Sequence, residues 1–285
     1  MPEGLWDLLR ASSGLEDREI FTFTCTAIHF IAYYMHGWFF VLADWYGFFD
    51  QYCIRSGKHK TPTLTQQWLA IRDATIDSIV IKPAIFYFLF PYIGHLISLK
   101  SAPSIGALFI QWLMMKIIFS TSLYWVHGAM HYFPFIYKNF HKKHHTFHES
   151  VAFAAQYAHP VEGLMSALNI ISGILLVQPH FISFCAFLFT QFIEIVDSHA
   201  GYDVPWAALY PWSDKYPWGA GARAHDYHHS HNIGMYGGGL TGLWDTLFGT
   251  DTEFRAFEKQ RKIAKSQLHG KNNEKIRSED IKKGN

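Results

Sequence analysis

Three short histidine clusters have the spacing of a metal site. His127 and His131 are four residues apart, and two later clusters read HKKHH and HDYHH. Residues three and four apart lie on the same face of an α-helix, so the imidazoles of each cluster point to one side. The second and third clusters contribute His141, His144, His145, His225, His228 and His229. One such pair is usually surface decoration, whereas three clusters together indicate bound metal.

Bound metal explains how eight imidazoles can lie together. A buried neutral imidazole needs a hydrogen-bond donor and an acceptor, which a crowd of like rings does not supply. Protonated rings placed side by side would repel one another. Imidazole binds iron, copper, zinc and nickel, and eight ligands exceed what one ion accepts. The clusters contain no cysteine, which disfavours structural zinc and iron–sulfur sites. We expect two iron ions, since binding of O2 would explain why a membrane protein gathers so many histidines; zinc fits the same cage geometrically but has no redox chemistry.

Isolated histidines and nearby carboxylates are expected to complete this site. We expect His159, in the motif AHP, and His199, in the motif DSHAGY, to bind metal as well. A helix cap for His159 and an exposed loop for His199 are the alternatives. Carboxylates orient ligand rings by accepting the second ring N–H, a role we assign to Glu162, Asp197, Asp203 and Asp226. His148 and His231 lie beside the clusters but off the ligand spacing, so we expect them near the site without binding metal.

Four long apolar segments must position these clusters. Residues 20–49, 76–99 and 105–126 are each long enough to cross ~30 Å of hydrocarbon, which takes about 20 residues. Residues 164–196 are also apolar but carry Pro179 near their middle. This predicts two short helices folded back on each other, or a re-entrant hairpin. We therefore expect an all-α polytopic membrane protein with a cytosol-facing, histidine-rich di-metal domain.

Overall composition limits the remaining classes of function. The formal net charge is +1, so there is no basic excess for binding nucleic acid. The three cysteines form no CxxC motif, which suits a reducing compartment or a membrane interior. Mean hydropathy is only +0.02, which leaves a soluble protein with apolar core helices as the alternative.

The distribution of lysine and arginine predicts the orientation in the membrane. Basic residues lie between the first two apolar segments, after the third, and in the tail. Placing all of them in the cytosol puts the histidine clusters and the carboxyl terminus there too. The last four residues, KKGN, resemble the dilysine signal of endoplasmic reticulum membrane proteins. Whether residues 20–49 cross once or dip into the membrane twice is left open.

The order of motifs from Leu123 to Thr252 resembles the fatty acid hydroxylase/sterol desaturase superfamily of membrane di-iron enzymes. The motifs are HGAMH, FHKKHH, QYAHPVEG, DSHAGYDVPW, HDYHH and WDTLFGTD. Within the superfamily, YAHPVE, SHAGYDVPW and AHDYHH are similar to the sterol C4-methyl oxidases. The resemblance implies an enzyme of the endoplasmic reticulum that uses O2 and electrons from NAD(P)H, delivered by cytochrome b5 and its reductase. Its substrate would be the C4-methyl group of a sterol precursor.

Some residues depart from the C4-methyl oxidase pattern. The segment Ser230-His231-Asn232 and the motif SVAFAAQY are similar to the cholesterol 25-hydroxylase branch, and Gly128 stands where relatives often carry arginine. A sterol side-chain hydroxylase, or another lipid hydroxylase of the superfamily, is therefore the alternative enzyme. The non-enzyme alternative is a metal transporter or store. The clusters lie at helix ends and in polar segments rather than within spans, which favours a fixed site.

Aromatic residues near the clusters are expected to line an apolar cavity that seats a flat ring system. The expected lining residues are Phe119, Tyr124, Trp125, Phe153, Tyr157 and Phe189. Ordinary helix packing is the alternative for each. Trp206, Trp212 and Trp218 are expected to form an interfacial lid. We predict a transmembrane region at 1–126, a catalytic domain at 127–252 with a membrane hairpin at 164–196, and a charged cytosolic tail at 253–285.

Overall fold

The computed structural model describes residues 5–55, 62–206, 216, 219–237 and 242–283, and these form an all-helical membrane protein. A short helix, α1 (Leu5–Ser13), precedes helices that are long and apolar enough to cross a membrane. These are α2 (Asp17–Tyr46), α3 (Leu64–Leu96), α4 (Ile105–Tyr132), α5 (Pro160–Val177) and α6 (Phe181–His199). Three further helices follow: α7 (Ala222–His231), α8 (Gly242–Phe248) and α9 (Thr252–Lys283). The predicted all-α polytopic fold is confirmed.

α2 is one continuous helix that is long enough to cross the membrane once, and it does not turn back on itself. The helix is continuous over 30 residues, with one π-helical stretch at Phe30–Met35. A helix of that length spans about 45 Å, more than the ~30 Å of hydrocarbon. It ends at Gly47, whose φ of 67° is the left-handed conformation that glycine adopts readily.

α3 begins at Leu64, well before the apolar segment predicted from residue 76. The Thr63 side chain accepts from the N–H of Gln66 at 3.2 Å, and the Gln66 side chain accepts from the N–H of Thr63 at 2.8 Å. This capping box fixes the start of the helix. The first turns also carry glutamine, arginine and aspartate, which interrupt the run of apolar residues.

The predicted hairpin of two helices is present as α5 and α6. α5 ends at Gln178, whose φ is 47°, and Pro179 follows. The side chain of His180 then accepts from the N–H of Ile182 at 3.2 Å and caps α6. The turn occupies the end of the bundle opposite the histidine clusters.

Hydrogen bonds define which loops share that opposite end. The N–H of Ser98 donates to the carbonyl of Pro179 at 2.9 Å, and the N–H of Phe181 donates to the carbonyl of Ser98 at 3.0 Å. The Trp6 ring of α1 packs on the Phe181 ring at 4.7 Å. The amino-terminal helix, the α3–α4 loop and the α5–α6 turn therefore lie together. The carboxyl ends of α4 and α6, which carry histidines, lie at the other end.

Large apolar side chains cover the outside of the bundle. Phe88 is 66% exposed, Ile110 60% and Leu168 54%, and similar residues surround them on α2 to α5. A soluble monomer rarely exposes a contiguous apolar patch of more than a few hundred Å². The chain is therefore a multi-pass membrane protein, and the soluble alternative is wrong.

An ion pair lies inside the bundle between α4 and α6. Lys116 of α4 donates to Gln191 Oε1 at 2.9 Å and pairs with the carboxylate of Glu194. All three side chains are buried. Because unpaired charge in the bilayer is costly, this pair fixes the position of α4 against α6.

Candidate metal centre

Four segments bring histidines to one end of the bundle. His127 and His131 lie near the end of α4, and His199 is the last residue of α6. Between α4 and α5, a π-helical turn ends at His141 and a 3₁₀ turn spans His144–Thr146. α7 supplies the third cluster. The structure brings nine histidines together in two groups.

Group A contains five histidines taken from all three clusters. They are His127, His131, His141, His145 and His228, and one ring nitrogen of each lies within 4.8 Å of the others. The Nε2 atom of His141 lies 2.9 Å from that of His131 and 3.0 Å from that of His145. It also lies 3.1 Å from Nε2 of His127. The Nε2 atom of His228 is buried without a hydrogen-bond partner in the described residues.

Group B contains four histidines: His144, His199, His225 and His229. The Nε2 atom of His225 lies 2.9 Å from that of His199 and 3.1 Å from that of His229. The Nε2 atom of His144 lies 3.4 Å from that of His199. The two groups adjoin, because the rings of His145 in group A and His229 in group B stack with centroids 4.6 Å apart.

The nitrogen spacing fits a bound cation rather than hydrogen bonds between rings. An Nε2 atom carries at most one proton, so His141 cannot hydrogen-bond three neighbouring rings through that atom. Two ligands at a right angle, each about 2.1 Å from an ion, lie about 3.0 Å from each other. The closest separations in the two groups are 2.9 to 3.4 Å, and all ligand atoms of one group lie within 4.8 Å of one another. The donor set, all imidazole, suits iron, copper, zinc or nickel.

Backbone carbonyls fix the orientation of several rings. Nδ1 of His228 donates to the carbonyl of Gly234 at 2.6 Å, and Nδ1 of His229 donates to that of Phe147 at 3.1 Å. His127 donates in the same way to the carbonyl of Tyr236. A ring whose Nδ1 carries the proton presents an unprotonated Nε2, which is the form that binds metal. In His199 of group B, Nδ1 donates to the Ile195 carbonyl at 2.8 Å with the same effect.

Burial keeps the imidazole rings of both groups neutral. It lowers the pKa of His144, His225 and His229 well below the ordinary value, and the neighbouring rings lower it further. The same two causes lower the pKa of His141 and His145. Neutral imidazoles are available as ligands, because metal binding requires the unprotonated ring nitrogen.

One carboxylate, that of Glu162, contacts a group A ring. Its Oε1 atom lies 3.0 Å from Nδ1 of His141, and both side chains are buried. The contact meets the distance of an ion pair but not the geometry of a hydrogen bond, and a small rotation of the ring would let Nδ1 donate to the carboxylate. A carboxylate that accepts from Nδ1 makes the opposite nitrogen a stronger ligand.

Substitution of Glu162 by alanine is expected to weaken metal binding by roughly 10–100-fold, the usual cost of losing such a partner. Metal retained during dialysis against a graded chelator measures the change. Glu162→Gln is the matched control, because its amide oxygen can still accept the N–H of His141. Equal metal retention in Glu162→Ala and the unsubstituted protein would show that the carboxylate does not support the ring.

His159 lies outside both groups. Its Nδ1 atom accepts from the N–H of Val161 at 3.2 Å, so the ring caps the start of α5. This is the alternative role considered for the residue, and it corrects the expectation that His159 binds metal. Proline is common at the first helical position, which is where Pro160 lies.

Two of the predicted ring-orienting carboxylates pair elsewhere. Asp197 Oδ1 lies 2.7 Å from Nε2 of His36 on α2, and Asp203 accepts from Arg223 Nε at 2.9 Å. The expectation that they orient ligand rings is therefore corrected. The sequence did not distinguish them from Glu162, because the pairing depends on which helices meet.

The remaining residues predicted to lie near the site are Asp226, His148 and His231, of which Asp226 and His231 are part of α7. Asp226 is largely buried, and burial raises its pKa to about 6 while an N–H of Ser150 donates to it. His148 is exposed and lies outside both groups. His231 is exposed and stacks on Tyr227 with centroids 4.1 Å apart. Neither histidine belongs to group A or group B.

The aromatic residues proposed to line one cavity occupy different places. They are Phe119, Tyr124, Trp125, Phe153, Tyr157 and Phe189. Phe119 and Phe153 are buried in the core, whereas Trp125 is 56% exposed and Phe189 43% exposed on the outer surface. Helix packing and lipid contact account for these four residues, so the expectation of a shared lining is corrected.

The two tyrosines of that set pack against segments that adjoin the metal groups. Tyr124 stacks on Phe248 of α8 with centroids 5.7 Å apart. Tyr157 packs on Phe147, whose carbonyl accepts from His229. They support the site from outside it.

The predicted tryptophan lid is described only in part. Trp206 packs on Phe49 with centroids 5.3 Å apart and on Phe39 at 6.5 Å. Trp212 and Trp218 lie outside the described residues. Trp206 thus anchors the loop after α6 to the loop after α2.

Sequence reasoning missed the backbone acceptors of the ligand rings. The carbonyls of Phe147, Gly234 and Tyr236 carry no side-chain signal, so residue type does not identify them. It also missed the bidentate pair between Arg55 and Asp44. The pair fixes Arg55 against Gly201, and the N–H of the preceding residue, Ile54, donates to the Gly201 carbonyl at 3.0 Å. The loop after α2 is thereby held close to His199, which lies two residues before Gly201.

Comparison with known proteins places this arrangement in a family. The family model described as “Fatty acid hydroxylase” matches residues 112–250, which include all nine grouped histidines. The chain is similar to methylsterol monooxygenase 1 of Rattus norvegicus, with 30% identity over 87% of this chain and 83% of that protein. The Gallus gallus protein of that name is 31% identical over 74% of this chain and 70% of its own length. The Danio rerio protein is 37% identical over 53% and 50%. No solved structure gives a significant match.

Proposed function

This chain belongs to the fatty acid hydroxylase family, and from that premise we propose that it is a membrane monooxygenase that oxidises the C4-methyl group of a sterol precursor. Its nine grouped histidines would hold two iron ions, one in group A and one in group B. The observation that carries the proposal is the convergence of one ring nitrogen from each histidine to within 4.8 Å in each group, with the closest pairs at 2.9 to 3.4 Å. The names of the similar proteins supply the substrate class.

The reaction determines what the site must receive. Conversion of a C–H bond to an alcohol consumes one O2, two electrons and two protons, and it releases one water. Iron bound by the two groups would supply the reduction of O2 and the cleavage of the C–H bond. The residues of the chain bind and orient the metal and the lipid. They also exclude water, because every grouped histidine except His131 is buried.

The position of the groups suits a lipid substrate. His127 and His131 lie in the last turns of α4, and His199 ends α6, so the site is at one end of the membrane-spanning bundle. A sterol lying in the bilayer reaches that depth with its polar end toward the interface. Oxidation near the polar end is consistent with attack at C4, which neighbours the sterol hydroxyl.

The charge distribution supports a cytosolic orientation of the site. Basic residues at the histidine end of the bundle include Arg55, Arg72, Lys138, Lys142 and Lys143. The rule that cytoplasmic loops are rich in lysine and arginine then places this end in the cytosol. We propose an endoplasmic reticulum membrane, and cytochrome b5 with its reductase as the electron donor, because the resemblance to the sterol C4-methyl oxidases implies both. We also propose a transmembrane region at 1–126, a catalytic domain at 127–252 and a charged cytosolic tail at 253–285.

Lipid analysis of cells that lack this protein tests the proposed substrate. We expect 4-methyl and 4,4-dimethyl sterols to accumulate and to be cleared by the unsubstituted protein. A protein carrying both His144→Ala and His228→Ala should not clear them, because each group loses a ligand.

The alternatives give different results in the same analysis. Unchanged C4-methyl sterols with loss of a side-chain hydroxylated sterol would replace the substrate and keep the metal site. Unchanged lipids with altered cellular metal content would indicate a transporter or store and contradict the proposal.

A further inference from the structure

The short helix α8 carries an exposed apolar face. Leu243 is 54% exposed, Leu247 66% and Phe248 50%. The Phe248 ring lies 5.2 Å from the ring of Trp125, which faces outward from α4. The apolar face of α8 is therefore continuous with the lipid-facing surface of a membrane-spanning helix.

Hydrogen bonding places α8 at the depth of the bilayer. Trp244 Nε1 donates to Thr121 Oγ1 of α4 at 3.1 Å. Thr121 precedes His127 by six residues, which corresponds to about 9 Å along the helix toward the membrane interior. The one charged residue of α8, Asp245, is completely buried and faces the protein.

Asp245 connects α8 to group A. Its Oδ1 atom accepts from the N–H of Tyr236 at 3.1 Å and from Thr250 Oγ1 at 2.6 Å. The carbonyl of Tyr236 in turn accepts from Nδ1 of His127. The same short segment supplies the carbonyl of Gly234, which accepts from His228.

Residues 234–236, which connect Asp245 to the two ligand rings, have little freedom to move independently of α8. Gly234 has a φ of +52°, and a Cβ there would collide with the carbonyl oxygen of Thr250. The N–H of Met235 donates to that same oxygen at 3.3 Å. Segment 234–236 therefore follows the turn after α8. Two group B rings, His199 and His229, take their acceptors from Ile195 and Phe147 instead.

We propose that α8 is a helix embedded among bilayer acyl chains and that Asp245 transmits its position to His127 and His228 of group A. Asp245 is then a positioning residue, and the motif WDTLFGTD serves to hold two ligand rings. The embedding of α8 stands by itself, whereas the effect on metal rests on the proposed function.

Spin labelling tests the embedding. A nitroxide is attached at Leu247→Cys in the full chain with Cys53 and Cys185 replaced by serine, reconstituted in phosphatidylcholine nanodiscs. Leu168→Cys on α5 is the lipid-facing control, and Lys265→Cys on α9 is the water-facing control. We expect Leu247 to match Leu168, with frequent collisions with O2 and few with a polar nickel complex. Behaviour like that of Lys265 would overturn the embedding.

Metal analysis of purified full-length protein tests the positioning. Asp245→Ala is expected to lose about half of the bound metal, because group A loses its ring orientation and group B does not. Asp245→Asn, which keeps an acceptor oxygen, is expected to retain it. If Asp245→Ala does not fold, Thr250→Val should give a smaller loss in the same direction. Full metal content in the folded variants would overturn the positioning role, and metal-free unsubstituted protein would overturn the proposed function instead.

Discussion

Substitution of His228 by alanine is expected to remove one of two bound iron ions and to abolish sterol oxidation. His228 Nδ1 donates to the Gly234 carbonyl, and its buried Nε2 atom faces group A without another partner among the described residues. Loss of a ligand should exceed the roughly 10–100-fold effect of losing an outer partner. Metal content per chain and turnover of a 4,4-dimethyl sterol measure the two effects.

His231→Ala is the matched control, because His231 lies on the same helix and is exposed on Tyr227 rather than in a group. It should keep both ions and full activity. His225→Ala should remove the ion of group B, leaving that of group A. Two ions in both ligand variants, or equal losses in His228→Ala and His231→Ala, would contradict the assignment of ligands.

Removal of Glu194 by substitution with leucine is expected to destabilise the chain by about 3–5 kcal/mol, the usual cost of breaking a buried ion pair. Lys116 would remain buried within the membrane without its carboxylate partner, although Gln191 at 2.9 Å would still accept from it. Replacement of both residues, Lys116→Met with Glu194→Leu, is expected to restore most of the stability, since no charge is then buried. Thermal unfolding in nanodiscs measures the differences.

A partly exposed pair, outside the membrane-spanning helices, supplies the control for this experiment. Arg261 pairs with Glu258 on α9, and Glu258→Gln should cost at most about 1 kcal/mol, as surface pairs do. A double substitution as unstable as Glu194→Leu would show that the pair contributes more than mutual neutralisation. A Glu194→Leu protein as stable as the unsubstituted chain would show that the pair does not brace α4 against α6.

Periodicity and apolar length predicted most of the fold. The hairpin at 164–196 followed from Pro179, and the long apolar segments became membrane helices. The start of α3 at Leu64 could not be predicted in this way, because its first turns are polar and its cap depends on Thr63. The continuity of α2 could not be predicted either, since the length of an apolar segment does not show whether it turns back on itself.

The histidine clusters were visible in the sequence, but their division was not. HKKHH sends His141 and His145 to group A and His144 to group B, and HDYHH divides between the groups in the same manner. Helical spacing shows that residues four apart share a face, which explains why His141 goes with His145 and His225 with His229. Which faces meet depends on the packing of α4, α6 and α7, which spacing does not encode.

Oxygen isotope labelling tests the central claim most directly. Purified protein with both ions is supplied with a 4,4-dimethyl sterol, reductant and ¹⁸O2 in ordinary water. The account predicts that the first product, an alcohol, carries one ¹⁸O atom and that no product forms without O2. An alcohol whose oxygen comes from water, or a product formed without O2, would contradict a metal-dependent monooxygenase built on the two histidine groups.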